Sequence, residues 1–148
     1  MSEDTNNSEA MNALIAAMND QLSAEYQAVI QYLQYSAVVS GPYRPELVTF
    51  FRAELPDEQA HAQYLADKVS ALGGTPTTDA KPVPHGDDAR ELLEHVLQAE
   101  TGAVAAYARL IQLADAAGEI GIRIQMETFL QDESVHRDET RKILQGRW

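Results

Sequence analysis

The chain has 148 residues, 11 of them basic and 23 acidic, for a formal net charge of −12, and it contains no cysteine. That length suits one domain around a single core, and the lack of thiols excludes disulfides, thiolate zinc sites and iron–sulfur clusters. The negative charge argues against nucleic acid or an anionic membrane as a partner. No apolar run reaches the ~20 residues of a membrane-spanning helix. The start, Met1 to Glu9, lacks the basic and apolar regions of a signal peptide, so a cytoplasmic protein is expected.

Taken in chain order, residues 1–7 read as a frayed tail and Ser8 as the cap of a first helix running to about Val39. Its stripe is Ile15, Met18, Leu22, Val29 and Val39, with Tyr32 and Ser36 on the same seam and Glu25 inside it. Gly41-Pro42 ends this helix, and Pro45 with Glu46 suits the start of a second. The second stripe is Leu47, Phe51, Glu54, Glu58, His61, Leu65, Val69 and Leu72, with Pro56 inside the helix to kink it or free a carbonyl. Gly73-Gly74 stops it. Residues 73–86, with Pro76, Pro82 and Pro84, form the one long connection. A helix of about 28 residues is roughly 42 Å long, and fourteen extended residues reach at most about 46–50 Å. The connection is therefore long enough to cross a bundle from end to end, which a hairpin does not require.

Asp87 or Asp88 caps a third helix with the stripe Leu93, Leu97, Glu100, Val104, Tyr107, Ile111 and Ala114, ended by Gly118. A fourth carries Ile122, Met126, Phe129, Glu133, His136, Thr140 and Ile143. Four helices joined by short, long and short connections predict an all-α four-helix bundle, residues 1–148 forming one domain.

The chemistry lies in a repeat. Asp57-Glu58 with His61 recurs as Asp132-Glu133 with His136, 75 residues later, and Glu25 and Glu100 each precede the Glu of their motif by 33 residues. In Glu-x-x-His both side chains share one helix face. A carboxylate on a core stripe is costly unless it is neutralised, and two divalent ions would neutralise Glu25, Glu58, Glu100 and Glu133 while accepting both imidazoles. One Glu from each of two helices, with Glu-x-x-His from each of two others, is the ligand pattern of a di-metal site inside a helix bundle. Carboxylate with imidazole suits iron or manganese, and zinc fits too. Glu54 is either an auxiliary ligand or a solvated boundary acid. Asp57 and Asp132 are candidate acceptors for imidazole N–H groups. Tyr32 and Tyr107, each seven residues after a core Glu, either pack in the core or serve the site, by bonding to a ligand carboxylate or by donating an electron. His85 and His95 read as surface residues.

On these residues the chain resembles bacterioferritin, of the ferritin-like di-iron carboxylate superfamily, over about residues 11–145. The likeness rests on Glu25, Tyr32, Glu54, Asp57-Glu58, His61, the Leu72-Gly73-Gly74-Thr75-Pro76 helix end, Glu100, Asp132-Glu133 and His136. It implies a ferritin-like bundle with its long crossover between helices 2 and 3, and two irons bridged by Glu58 and Glu133. Glu25 with His61 would hold one iron and Glu100 with His136 the other, Tyr32 lying beside the centre and Glu54 passing iron inward. The implied activity is a ferroxidase that oxidises Fe(II) with O2 or H2O2, for iron storage or detoxification. The alternatives are a di-metal oxidase or peroxidase acting on another substrate, and a non-enzymatic metal-binding protective protein. Gln59 stands where the family's haem-ligating Met is expected, so no haem is expected. Tyr107 stands where an aliphatic residue is expected. The family's fifth helix has no counterpart before Trp148, and Tyr26, Ile30 and Leu33 lie off the core seam of the first helix. A homodimer is therefore expected rather than a 24-subunit cage.

Overall fold

The computed structural model describes residues 2–148. Four helices make the fold: α1 (Ser2–Val38), α2 (Arg44–Ala71), α3 (Ala89–Ala116) and α4 (Ile120–Leu144). The ferritin-like four-helix bundle expected from the sequence is the observed architecture. None of these helices is long and apolar enough to cross a membrane.

The expected tail is a correction. Among the described residues α1 is helical from Ser2, not from Ser8, with Glu3 and Asp4 in its first turn, where acidic groups complement the helix dipole. Residues 2–9 are nevertheless exposed; Met1 lies outside the described residues. α2 has Pro45 in its first turn and runs unbroken through Pro56. Gly73 and Gly118 follow α2 and α3 with φ of 89° and 73°, a left-handed conformation that glycine adopts without steric cost. Of the two candidate caps of α3, Asp88 is the one used: its Oδ1 accepts from Glu91 N at 2.8 Å, while Glu91 Oε2 accepts from Asp87 N at 2.9 Å.

α1 packs mainly on α2, and α3 on α4; α1 also meets α3, and α2 meets α4 more sparsely. The crossover, residues 72–88, runs along α1 and is tied to it by side chains at multiples of four residues. Asn19 Nδ2 donates to Thr75 O (2.9 Å), Ser23 Oγ to Asp79 O (2.5 Å), Gln27 Nε2 to Pro82 O (2.6 Å) and Tyr35 Oη to Pro84 O (2.6 Å). Spacing of four keeps these groups on one helix face, so the strap needs no secondary structure of its own.

The apolar core is divided. One cluster contains Leu14, Met18, Leu22, Leu65, Val69, Leu110, Ile122 and Met126. The other contains Tyr32, Tyr35, Val39, Leu47, Phe51, Leu92, Leu93 and Val96. Between them, on all four helices, lie the buried acids and imidazoles.

Candidate metal centre

Each helix brings its polar residues inward by the periodicity that places its apolar neighbours. Glu25, Glu58, His61, Glu100 and Glu133 are at most 3% exposed, and His136 is 7% exposed. Glu25, Glu58, His61 and Glu133 offer one ligand atom each within 4.8 Å of one another, and so do Glu58, Glu100, Glu133 and His136. The two groups share Glu58 and Glu133. The structure thus brings together all six residues that the repeat singled out.

The imidazoles are oriented alike. His61 Nδ1 lies 3.1 Å from Glu133 Oε1 and 3.7 Å from Glu25 Oε1, and its Nε2 lies 3.1 Å from Asp132 Oδ2. His136 Nδ1 lies 3.4 Å from Glu58 Oε1, and its Nε2 lies 3.1 Å from Asp57 Oδ2 and 2.7 Å from Glu54 Oε2. In both rings Nδ1 faces the acid cluster and Nε2 faces an outer carboxylate. The pairing is crossed: each Asp orients the imidazole of the other motif. Such an outer acceptor fixes which ring nitrogen faces the centre.

The tyrosines are crossed as well. Tyr107 Oη donates to Glu25 Oε1 at 2.5 Å, and Tyr32 Oη donates to Glu100 Oε1. Both are also core residues, so the two readings of these tyrosines hold together. Burial first, then the neighbouring Glu100, pushes the Tyr32 hydroxyl well above its ordinary pKa; burial and Glu25 do the same to Tyr107. Both therefore remain donors.

Glu54, expected to be either an auxiliary ligand or a solvated acid, is half-buried against His136. The equivalent position in the second motif is Phe129, whose ring lies 4.1 Å from that of His61. The two halves thus differ: one imidazole is sealed by an aromatic ring and the other is flanked by an acid. Gln21, absent from the expected set, donates to Glu25 Oε1 at 3.0 Å; its place one turn before Glu25 is the signal that would have found it. His85 is exposed as expected. His95 is a partial correction: half-buried, its Nε2 lies 3.0 Å from His85 O, where it helps hold the end of the crossover.

Protons balance the charge of this metal-free cluster. Burial alone would lower the His61 pKa, but Glu133 and Glu25 outweigh it and hold the value up at about 10. His136 is raised too, burial being outweighed by Glu133, Glu54 and Glu58. Burial pushes Glu58 and Glu100 well above the carboxylate range, reinforced by Glu25 and Glu133 for Glu58 and by Glu133 for Glu100. Glu133 is held below that range: burial opposes ionisation, but the neighbouring Glu100, His136 and His61 favour the ionised form and prevail. Even so, Glu25 Oε2, Glu58 Oε1, Glu100 Oε2 and His136 Nδ1 are buried without a hydrogen-bond partner. Orphaned buried polar atoms are costly, and here they converge on common points. The donor set fits two divalent ions.

The family model for the ferritin-like domain matches residues 15–146. The chain belongs to the ferritin-like family. It is 29% identical over 126 residues to a bacterioferritin of Streptomyces coelicolor, covering 84% of this chain and 75% of that one. A solved structure described as ferritin-like, diiron-carboxylate proteins from Bacillus anthracis has a TM-score of 0.90 at 38% identity, over 91% of this chain and 97% of that one. Dps from Thermosynechococcus elongatus has a TM-score of 0.89 at 16% identity over 96% of both chains, a likeness of fold alone. This ferritin-like chain is thus bacterioferritin-like in sequence and carries, at its centre, two adjoining groups of buried carboxylates and imidazoles that could each hold a metal ion.

Proposed function

We propose that the protein is a di-iron ferroxidase, which binds two Fe(II) ions as substrate and oxidises them with O2 or H2O2 in iron handling. The observation that carries this reading is the pair of buried four-ligand groups sharing Glu58 and Glu133. In this reading Glu58 and Glu133 bridge, Glu25 and His61 hold one ion, and Glu100 and His136 hold the other. Bound iron supplies the redox chemistry, one electron from each ion. The chain supplies everything else. His61 and His136 exchange their Nδ1 protons for metal while Asp132 and Asp57 keep the rings oriented. Glu58 and Glu100 give up protons as the ions arrive. Tyr32 and Tyr107 hold Glu100 and Glu25 in place through hydroxyls that stay protonated. Glu54, beside His136, is the acid through which iron reaches or leaves the second position. Manganese and zinc suit the same donors. Gln59, exposed on α2, offers no thioether, so the reading includes no haem.

Anaerobic titration with Fe(II) or Co(II) tests the site. Binding should saturate near two ions per chain, fall below one in Glu58→Ala with Glu133→Ala, and be followed by oxygen consumption when Fe(II)-loaded protein meets air. Saturation below one ion in the wild type, or unchanged binding in the double variant, overturns the reading. Two-ion binding without Fe(II) oxidation would leave a metal-binding protein and refute the ferroxidase.

A further inference from the structure

The repeat makes the two halves of the centre comparable residue by residue, and around Glu25 and Glu100 they differ. Glu25 Oε1 accepts two hydrogen bonds, from Tyr107 Oη at 2.5 Å and from Gln21 Nε2 at 3.0 Å. Glu100 Oε1 accepts from Tyr32 Oη, but one turn before Glu100 the counterpart of Gln21 is Val96, which has no second donor to offer. Gln21 and Tyr107 are both buried, so water does not compete for their hydrogen bonds.

The imidazoles differ in the same sense. His61 has a ring on two sides, Phe129 at 4.1 Å and Tyr107 at 5.8 Å between centroids. Tyr107 thus touches both residues assigned to one ion, Glu25 through its hydroxyl and His61 through its ring. His136 instead has the carboxylate of Glu54 at 2.7 Å, a group on a flexible stem that can move with the ring or receive a departing cation. The cavity between α1 and α3 reaches Glu25 and Glu100 alike, so access from that side does not separate the two positions. What separates them is how freely their ligands move.

An ion leaves such a site only after a ligand swings away. A hydrogen bond to an ionised carboxylate is about twice as strong as one between neutral groups, and two on one oxygen hold Glu25 from behind. Its other oxygen, Oε2, is buried without a partner and is the atom left to face the ion. Losing a residue that orients a metal ligand typically costs about 10–100-fold in affinity.

We propose that Gln21 and Tyr107 are positioning residues that make the two metal positions unequal: an ion held by Glu25 and His61 exchanges slowly, and one held by Glu100 and His136 exchanges fast. The inference rests on the di-metal reading and adds to it that the second position fills and empties while the first stays occupied.

The test loads full-length protein with two Co(II) per chain, adds excess EDTA and follows the loss of Co(II) absorption. Release should occur in two phases of one ion each, about tenfold or more apart in rate. Tyr107→Phe keeps the ring against His61 and removes only the hydroxyl; it should speed the slow phase about tenfold and leave the fast phase unchanged. Gln21→Leu should act on the same phase, and it carries the test if Tyr107→Phe does not fold, which circular dichroism checks. Tyr32→Phe should speed only the fast phase. The spectrum that remains between the phases, that of the slow ion alone, should change in Tyr107→Phe and Gln21→Leu but not in Tyr32→Phe. A general loosening of the bundle would instead speed both phases together. Equal acceleration of both phases, a slow phase that neither Gln21→Leu nor Tyr107→Phe speeds, or a slow phase that answers to Tyr32→Phe overturns the proposal. Two ions released at one rate fail only this inference, whereas fewer than two bound ions overturn the metal reading and the inference with it.

Discussion

His61 contacts carboxylates through both ring nitrogens, which only the doubly protonated ring satisfies in the absence of metal. Stability then depends on pH. The folded pKa of about 10 lies above the ordinary value of 6.5. The stabilisation from this imidazolium is therefore complete below pH 6.5 and is lost as the pH rises through 10. The raised Glu58 and Glu100 act in the same sense, since folding favours their protonated forms and rising pH removes that advantage. Glu133 acts in the opposite sense, but its lowered pKa matters only under strongly acid conditions. The melting temperature of chelator-treated protein should therefore fall by at least about 5 °C between pH 6.5 and 10. Metal binding should release protons over the same range, which unbuffered titration would detect. A metal-free melting temperature that rises across this window would refute the assignment of protons to the cluster.

At the scale of the element, α2 is the helix under most local stress. Pro56 lies in its interior, where proline lacks the N–H that would donate to the Arg52 carbonyl and costs about 3 kcal/mol relative to alanine. Pro56 is exposed, so Pro56→Ala removes no core contact. It should raise stability by about 1–3 kcal/mol in urea denaturation, and a loss of stability would show that the free carbonyl is needed. The elements differ in how far the sequence disclosed them. The stripe of α4 is buried as expected from Ile122 to Thr140, because this helix meets the core on one narrow face. α3 packs against both α4 and α1, and its buried face is wider: Leu92, Val96 and Leu110 are buried while Leu97 and Ile111 are half-buried. The six central acids and imidazoles were legible because the motif occurs twice in equal register. Gln21 was not, because a glutamine reads as a surface residue until a helix face is known to be covered. The crossed pairing of Asp57 with His136 and Asp132 with His61 depends on how α2 meets α4, which no single helix encodes.

The molecule as a whole is a bundle whose centre is polar and whose exterior is not uniformly so. Two apolar clusters hold the ends of the helices together while the acid layer between them favours separation until it is neutralised. Two divalent ions bound only by the folded state should stabilise it by mass action. Chelation should lower the melting temperature by about 10 °C or more at neutral pH, and scanning calorimetry of chelated and Zn(II)-loaded protein would check this; equal transitions would mean that the acids are not neutralised by metal.

On the outside, α1 exposes Ile30 (47%) and Leu33 (54%). Ile30 also borders a groove with Tyr26, Ala62 and Ala66, where α1 meets α2. Single exposed apolar residues need no explanation, whereas a cluster spanning two helices suits a self-complementary twofold contact. Pairing through α1 and α2 would leave α3, α4 and the α1–α3 cavity free. Sedimentation should therefore find a species of about 33 kDa, twice the 16.3 kDa chain. Ile30→Glu with Leu33→Glu should convert it to monomer without changing the two-ion stoichiometry, since neither residue belongs to the metal-facing groups. A monomer in the wild type would assign the apolar face to another partner, and a particle of several hundred kilodaltons would show that further faces associate and that iron oxidised at the centre can be stored within an assembly.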